Sequence, residues 1–324
     1  MSGKFNNRVL LLIFIGLGAL LIITRYTRVR KSERTLLTDL AVVDTSQVSR
    51  FSLFPLAEGG QEIQFSRDGN AWRVQLGEIS APAGSSGVRS VLAEIGSLKA
   101  QQLVARDPDR WVDYQVVDSL GTRVVIREGS KVSLDMIVGR FQYQPPPQGS
   151  YNMYGQNQVS GKTYIRISGE DEVYSVDGFF ALSVNQQFNR WRDNSLSLVN
   201  RSLLTRMHFE YPSDTGFVAQ RSADGWMVAG LMADSAHMEN FLNRISRASF
   251  TDFEDGFQPL GEPDFKLTLE GDQMTPVMIR GFSRPDSSLI LNSSMNPETW
   301  FRTGDPERIR EIFPGSATLL EEGI

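Results

Sequence analysis

Hydrophobic and polar positions follow one order twice along the chain. Residues 49–53 (Ser-Arg-Phe-Ser-Leu) alternate like a strand, and residues 205–209 (Thr-Arg-Met-His-Phe) do so again 156 positions later. Each is followed by a strand, an Asp-Gly turn (Asp68-Gly69, Asp224-Gly225) and a second strand carrying Trp72 or Trp226, the pattern of a β-hairpin. The period then changes. Val88, Val91, Leu92, Ile95 and Leu98 place one apolar stripe on a helix, and Met238, Phe241, Leu242, Ile245 and Ala248 repeat that spacing 150 positions on. Ser85 or Ser86, and Asp234 or Ser235, are suitable N-caps. Each stripe must lie on a sheet face, with Trp72 and Trp226 as the natural centres of the two cores.

The remainder of each copy matches more loosely. Residues 124–129 and 136–139 correspond to 265–271 and 278–281 as strand, turn and strand. Further strands are expected at 163–167 and 172–176 against 288–291 and 299–303, with closing helices near 178–190 and 306–313. The pattern therefore predicts an α+β fold: an N-terminal transmembrane helix, then two tandem repeats of mostly antiparallel sheet covered by helices, over residues 44–199 and 200–324.

Residues 142–161 interrupt the first copy only. They hold no charge, three tyrosines (Tyr143, Tyr151, Tyr154) and three consecutive prolines. One reading is a flexible hairpin tip. The other is a partner contact, because tyrosines offer rigid amphipathic surface and prolines lower the entropy lost on docking.

Ahead of the repeats, residues 9–24 (VLLLIFIGLGALLIIT) contain no charge and ten Leu or Ile. As a helix they cover about 24 Å, which Tyr26 and snorkelling Arg8 and Arg25 extend across a bilayer. The expected order is an N-terminal tail (1–8), a membrane span (9–26) and a basic stem (27–43). The span runs into Arg25-Tyr26-Thr27-Arg28 without the small-residue cleavage site of a signal peptide. Arg25, Arg28, Arg30 and Lys31 are candidates for contact with anionic lipid headgroups. The basic residues after the span favour a cytoplasmic body by the positive-inside rule, although long domains cross regardless of charge.

Charge divides the chain further. Of 33 basic and 38 acidic residues, the first 34 positions hold seven and one, so the remaining 290 carry 26 and 37, a net −11. Such a body is repelled by phosphate backbones, which disfavours nucleic-acid binding. The chain of 324 residues has no cysteine, so disulfides, thiolate metal sites, a cysteine nucleophile and a cysteine-linked lipid are excluded.

Catalytic and metal signatures are weak. Gly155 and Gly161-Lys162-Thr163 approach the phosphate-loop pattern with five intervening residues where four are required, and residues 164–167 read as a strand where a helix is needed. His208 falls on the polar side of a strand. His237, beside Asp234 and Glu239, reads as a solvated first helical turn rather than a metal ligand. Asp107, Asp109, Asp252, Glu254 and Asp255 read as loop carboxylates, without the spacing of a calcium loop. No cofactor, no metal and no enzymatic activity are expected.

The membrane segment, the stem Lys31-Ser32-Glu33-Arg34-Thr35-Leu36, Val43-Asp44-Thr45-Ser46-Gln47-Val48-Ser49 entering a strand, the hairpin ending Trp72-Arg73-Val74 and the helix at 88–98 leading into Val104 together resemble the bacterial domain-of-unknown-function 4340 family. The resemblance implies a membrane-anchored, extracytoplasmic auxiliary protein found alongside ABC-type export systems of the kind associated with gliding motility. It supplies no catalytic residues. The expectation is a single-pass accessory or scaffold protein of the bacterial inner membrane, its body on the periplasmic side, bound to membrane transport subunits. The alternative is a periplasmic ligand-binding protein using a cleft between the repeats.

Overall fold

The computed structural model describes residue 40 and residues 43–145, 160–212 and 215–320. The first series of elements is β1 (Val48–Phe54), β2 (Ile63–Asp68), β3 (Ala71–Leu76), β4 (Ile79–Pro82), helix α1 (Ser85–Gly96), β5 (Gln102–Ala105), β6 (Thr122–Glu128), β7 (Lys131–Gln144), β8 (Ser160–Ile167), β9 (Val173–Asp177) and α2 (Phe180–Val184). The second is β10 (Leu204–Glu210), β11 (Phe217–Ser222), β12 (Gly225–Val228), β13 (Leu231–Met232), α3 (Ser235–Ile245), β14 (Phe265–Gly271), β15 (Val277–Ser283), β16 (Leu289–Ser293), β17 (Asn296–Thr303) and α4 (Pro306–Ile312).

The strands form two sheets, ordered β4-β3-β2-β1-β6-β7-β8-β9-β5 and β13-β12-β11-β10-β14-β15-β16-β17. The second order repeats the first up to its last strand. In place of that strand it has a single bridge, Phe253 to Phe301, flanked by hydrogen bonds from Arg302 N–H to Asp252 C=O and from Glu254 N–H to Trp300 C=O, both 2.9 Å. The described residues divide into two compact units, one within 1–61 and 90–185 and the other within 62–89 and 186–324.

Registers agree in detail. Arg67 lies opposite Trp72, and Arg221 lies opposite Trp226. The turn centres are therefore Gly69-Asn70 and Ala223-Asp224, so neither turn is centred on its Asp-Gly pair. Gly69 adopts a φ of 59°, a backbone state that glycine enters without a Cβ penalty. A β-bulge also recurs. Val48 pairs with Glu128 and Arg50 with Arg127, skipping Ser49; Leu204 pairs with Gly271 and Arg206 with Glu270, skipping Thr205.

Both apolar stripes are buried: Val88, Val91, Leu92, Ile95 and Leu98, and Met238, Phe241, Leu242, Ile245 and Ala248, although Leu98 and Ala248 lie just beyond the ends of α1 and α3. Asp234 caps α3 by accepting from the His237 N–H at 2.7 Å. In α1 the first helical carbonyl is that of Gly84, which accepts from Val88 N–H at 3.2 Å. Ser85 is thus the first helical residue rather than its cap. Trp72 is buried, whereas Trp226 is only partly buried at the margin of the second core. Phe209, Phe241 and Phe301 fill that core instead.

The predicted α+β class is corrected to a mostly antiparallel β fold. Helical periodicity is confined to two stripes, and α2 and α4 are only 5 and 7 residues long. Much of the sheet surface is covered by irregular chain, as where Val116, Trp111 and Tyr114 pack on Ile137, Tyr164 and Val173. Among the described residues no helix is long and apolar enough to cross a membrane. The expected transmembrane helix at 9–26 lies outside the described residues.

Candidate functional site

Strand β7 is the longest among the described residues, with 14 residues, and its pairing with β8 shifts register between Val138 and Phe141. A bulge of this kind re-aims the side chains beyond it. Gly139, within the bulge, lets the 106–121 segment approach β7 closely, because a Cβ there would overlap the Tyr114 carbonyl. Beyond the bulge, Phe141 and Tyr143 are two residues apart and share one face. The Phe141 ring stacks on Phe179 at 5.2 Å and lies over Gly161, where a side chain would collide with it.

Close to this stack in the chain, three large side chains are exposed. Tyr143 is 52% exposed, Phe179 38% and Leu182 49%. The support of the stack is polar and well connected: Gly178 N–H donates to Gly161 C=O at 2.8 Å, and the Thr163 hydroxyl bonds to Gly178 C=O at 3.3 Å. Thr163 Oγ1 also accepts from Ala181 N–H at 3.2 Å, at the start of α2. The threonine of the near phosphate-loop pattern is therefore fully buried and serves this junction. Its neighbour Lys162 lies on strand β8, opposite Gln142 and Asp177.

Tyr143 is thus exposed at the start of the charge-free insertion. Tyr151 and Tyr154 lie outside the described residues, as do Arg25, Arg28, Arg30 and Lys31. Phe141, Phe179 and Leu182 could have been suspected only from the bulge and the Gly161 contact, which leave no periodic signal.

Elsewhere in this unit, arginines interleave with aromatic rings. Arg166 is buried, its guanidinium 3.8 Å from the Trp111 ring centre, and its Nε donates to Val116 C=O at 3.0 Å. Burial lowers the Arg166 pKa, opposed by the charges of Asp118, Asp171 and Asp135. Arg140 reaches over Tyr114 and Tyr164, whose rings are 4.8 Å apart. This arrangement fastens the 106–121 segment to β7 and β8.

Asp135 accepts two hydrogen bonds from Arg123, at 3.0 and 2.6 Å, and one from Ser168 at 2.7 Å. The Arg123 bonds hold its carboxyl below the ordinary aspartate range. A lowered folded-state pKa stabilises above the unfolded value and is lost as pH falls through the folded one. Asp135→Asn is therefore expected to destabilise the protein at neutral pH, with the difference from wild type shrinking in acid. Urea unfolding of both proteins across that range checks this; a difference that grows in acid contradicts it.

In the second unit, Leu198, Val199, Leu203, Met274, Val277 and Met295 line much of a pocket of about 370 Å³. Its lining is mainly apolar, and its methionines are adaptable to varied ligand shapes. His208 Nδ1 lies 3.5 Å from Glu210, and His237 Nδ1 lies 3.6 Å from Asp234. Asp255 pairs with Arg192 and Glu254 approaches Arg302. Asp107 caps a short turn by accepting from Asp109 N–H. Among the described residues no three His, Asp or Glu side chains are grouped to hold a metal.

No curated protein and no solved structure matches the chain. A family model described as Domain of unknown function (DUF4340) matches residues 72–267, from the first hairpin tryptophan into β14. That span exceeds half of the 324 residues, and the chain belongs to the DUF4340 family.

Proposed function

We propose that this protein is a membrane-attached, non-catalytic accessory subunit that docks on another component of an ABC-type transport assembly. The observation carrying this reading is the exposure of Tyr143 at the start of the insertion, with Phe179 and Leu182 exposed at the short helix whose Phe179 stacks on Phe141. Exposed aromatic side chains such as Tyr143 and Phe179 provide large contact area at low entropic cost. The uncharged residues 9–24 support attachment to a bilayer. The body belongs on the extracytoplasmic side in this reading, and a reporter fused after Ile324 that is active only in the cytoplasm would contradict that placement.

Purification of the full chain in mild detergent tests the docking role. Transport subunits are expected to co-elute, identified by mass spectrometry, and Tyr143→Ala with Phe179→Ala is expected to reduce their recovery about tenfold or more, as for loss of interface hot spots. Elution of the wild-type chain alone, or unchanged recovery with the double variant, defeats the reading. A second reading, binding of a small apolar ligand, is favoured by the pocket beside Met274 and Met295. Ordered density in that pocket in a crystal of protein purified from its source would support it.

A further inference from the structure

The two copies treat one cross-strand position differently. After the shared bulge, Arg206 on β10 faces Glu270 on β14, with Nε 3.9 Å from the carboxylate. At the matching place in the first copy, Arg50 on β1 faces Arg127 on β6. Like charges directly opposite on a sheet are unfavourable. Among the described residues no carboxylate forms an ion pair with either arginine.

The nearby acids are engaged elsewhere. Asp135 is held by Arg123 and Ser168 and senses Arg127 only through space. Glu128 accepts from Asp44 N–H at 3.1 Å, and Asp44 accepts from the Ser46 hydroxyl at 2.6 Å. Arg50 is exposed and Arg127 half-buried, so both are open to an anion from outside.

The chain itself indicates which anion. Leu40 N–H donates to Leu98 C=O at 3.3 Å, and Asp44 meets Glu128, the neighbour of Arg127. The polypeptide thus joins the body beside this pair, shortly after Arg25, Arg28, Arg30, Lys31 and Arg34. The body beyond residue 34 is otherwise acidic, at 26 basic against 37 acidic residues. An anionic surface repels most of such a body and attracts its unneutralised cations, which fixes its orientation.

We infer that Arg50 and Arg127 form a contact site for anionic phospholipid headgroups, holding the first copy against the bilayer. The inference rests on the membrane attachment proposed above, and it adds orientation to attachment. Arg127→Glu is the informative variant, because it gives Arg50 the partner that Arg206 already has. The variant is expected to fold with undiminished thermal stability while losing the lipid contact.

The full chain has no cysteine, so Gln47→Cys accepts a single fluorophore beside the pair. This protein is reconstituted into phosphatidylcholine vesicles, with or without phosphatidylglycerol, carrying an acceptor on the lipid headgroups. Energy transfer is expected to rise with phosphatidylglycerol, to be kept by Arg127→Lys and to fall to the phosphatidylcholine level with Arg127→Glu. A change of two charges corresponds to at least about a tenfold loss of the docked population. Flotation with both vesicles but transfer indifferent to phosphatidylglycerol, or to Arg127→Glu, overturns the lipid site and leaves attachment intact. Failure to float with either overturns both. Loss of a co-purifying acidic protein from Arg127→Glu, without change in transfer, overturns the lipid site in favour of a protein partner.

Discussion

Phe241→Ala is expected to lower the free energy of unfolding by about 4 kcal/mol, and Val91→Ala, at the matching position of the other helix, by about 2 kcal/mol. Both side chains are buried, Phe241 at 1% and Val91 at 2% exposure. They differ in the volume removed and in what surrounds it. The Phe241 ring lies 5.8 Å from Phe209, which stacks on Phe217 at 4.3 Å. Phe209 and Phe217 are themselves cross-strand partners, so the sheet backbone prevents them from moving in to fill the space. A cavity that cannot collapse adds its own cost to the lost transfer energy. Urea unfolding of the two variants decides the matter: a Phe241→Ala cost below that of Val91→Ala would show that the second core is not centred on this cluster.

The helical stripes were legible because a helix repeats its face every few residues, and ten buried positions follow that spacing across the two copies. Strand pairing was legible wherever alternation met a turn. Two things were not. Bulges at Ser49 and Thr205 insert a residue without changing composition, and the hairpin turns are centred one residue off their Asp-Gly pairs, in opposite directions in the two copies. The α+β expectation failed for a related reason. A loop such as 106–121 covers its sheet with Trp111, Tyr114 and Val116, and irregular chain has no period from which its burial can be read. Of the candidate surface, Tyr143 was legible from the uncharged insertion. Phe141 and Phe179 come from separate elements, and their stacking depends on the shape of β7 and on the absence of a side chain at Gly161.

Asp255 reads from the sequence only as a loop carboxylate; its pairing with Arg192, 63 positions away, carries no local signal, and the pair supplies the other large expected effect. Segment 191–193 is tied to residues 82–84 by Gly84 N–H to Trp191 C=O and Asp193 N–H to Pro82 C=O, both 2.8 Å. That leaves the Arg192 side chain 3% exposed, 3.9 Å from the Phe253 ring centre. Its guanidinium donates to both Asp255 oxygens, at 2.9 and 2.7 Å, and the carboxylate is 40% exposed. The two ends of the pair are therefore unequal. Asp255→Ala strands a buried cation and is expected to cost about 3 kcal/mol, at the lower edge for breaking a buried pair because its partner keeps the ring and Asn189. Arg192→Met retains most of the packing volume and frees a carboxylate that water can reach, so its expected cost is about 1 kcal/mol. The double variant should be more stable than Asp255→Ala alone, since the stranded charge is gone. Unfolding titrations of the wild type, both single variants and the double variant close this cycle. Equal costs for the two single variants would mean that solvent reaches Arg192 and that the pair is an ordinary surface contact.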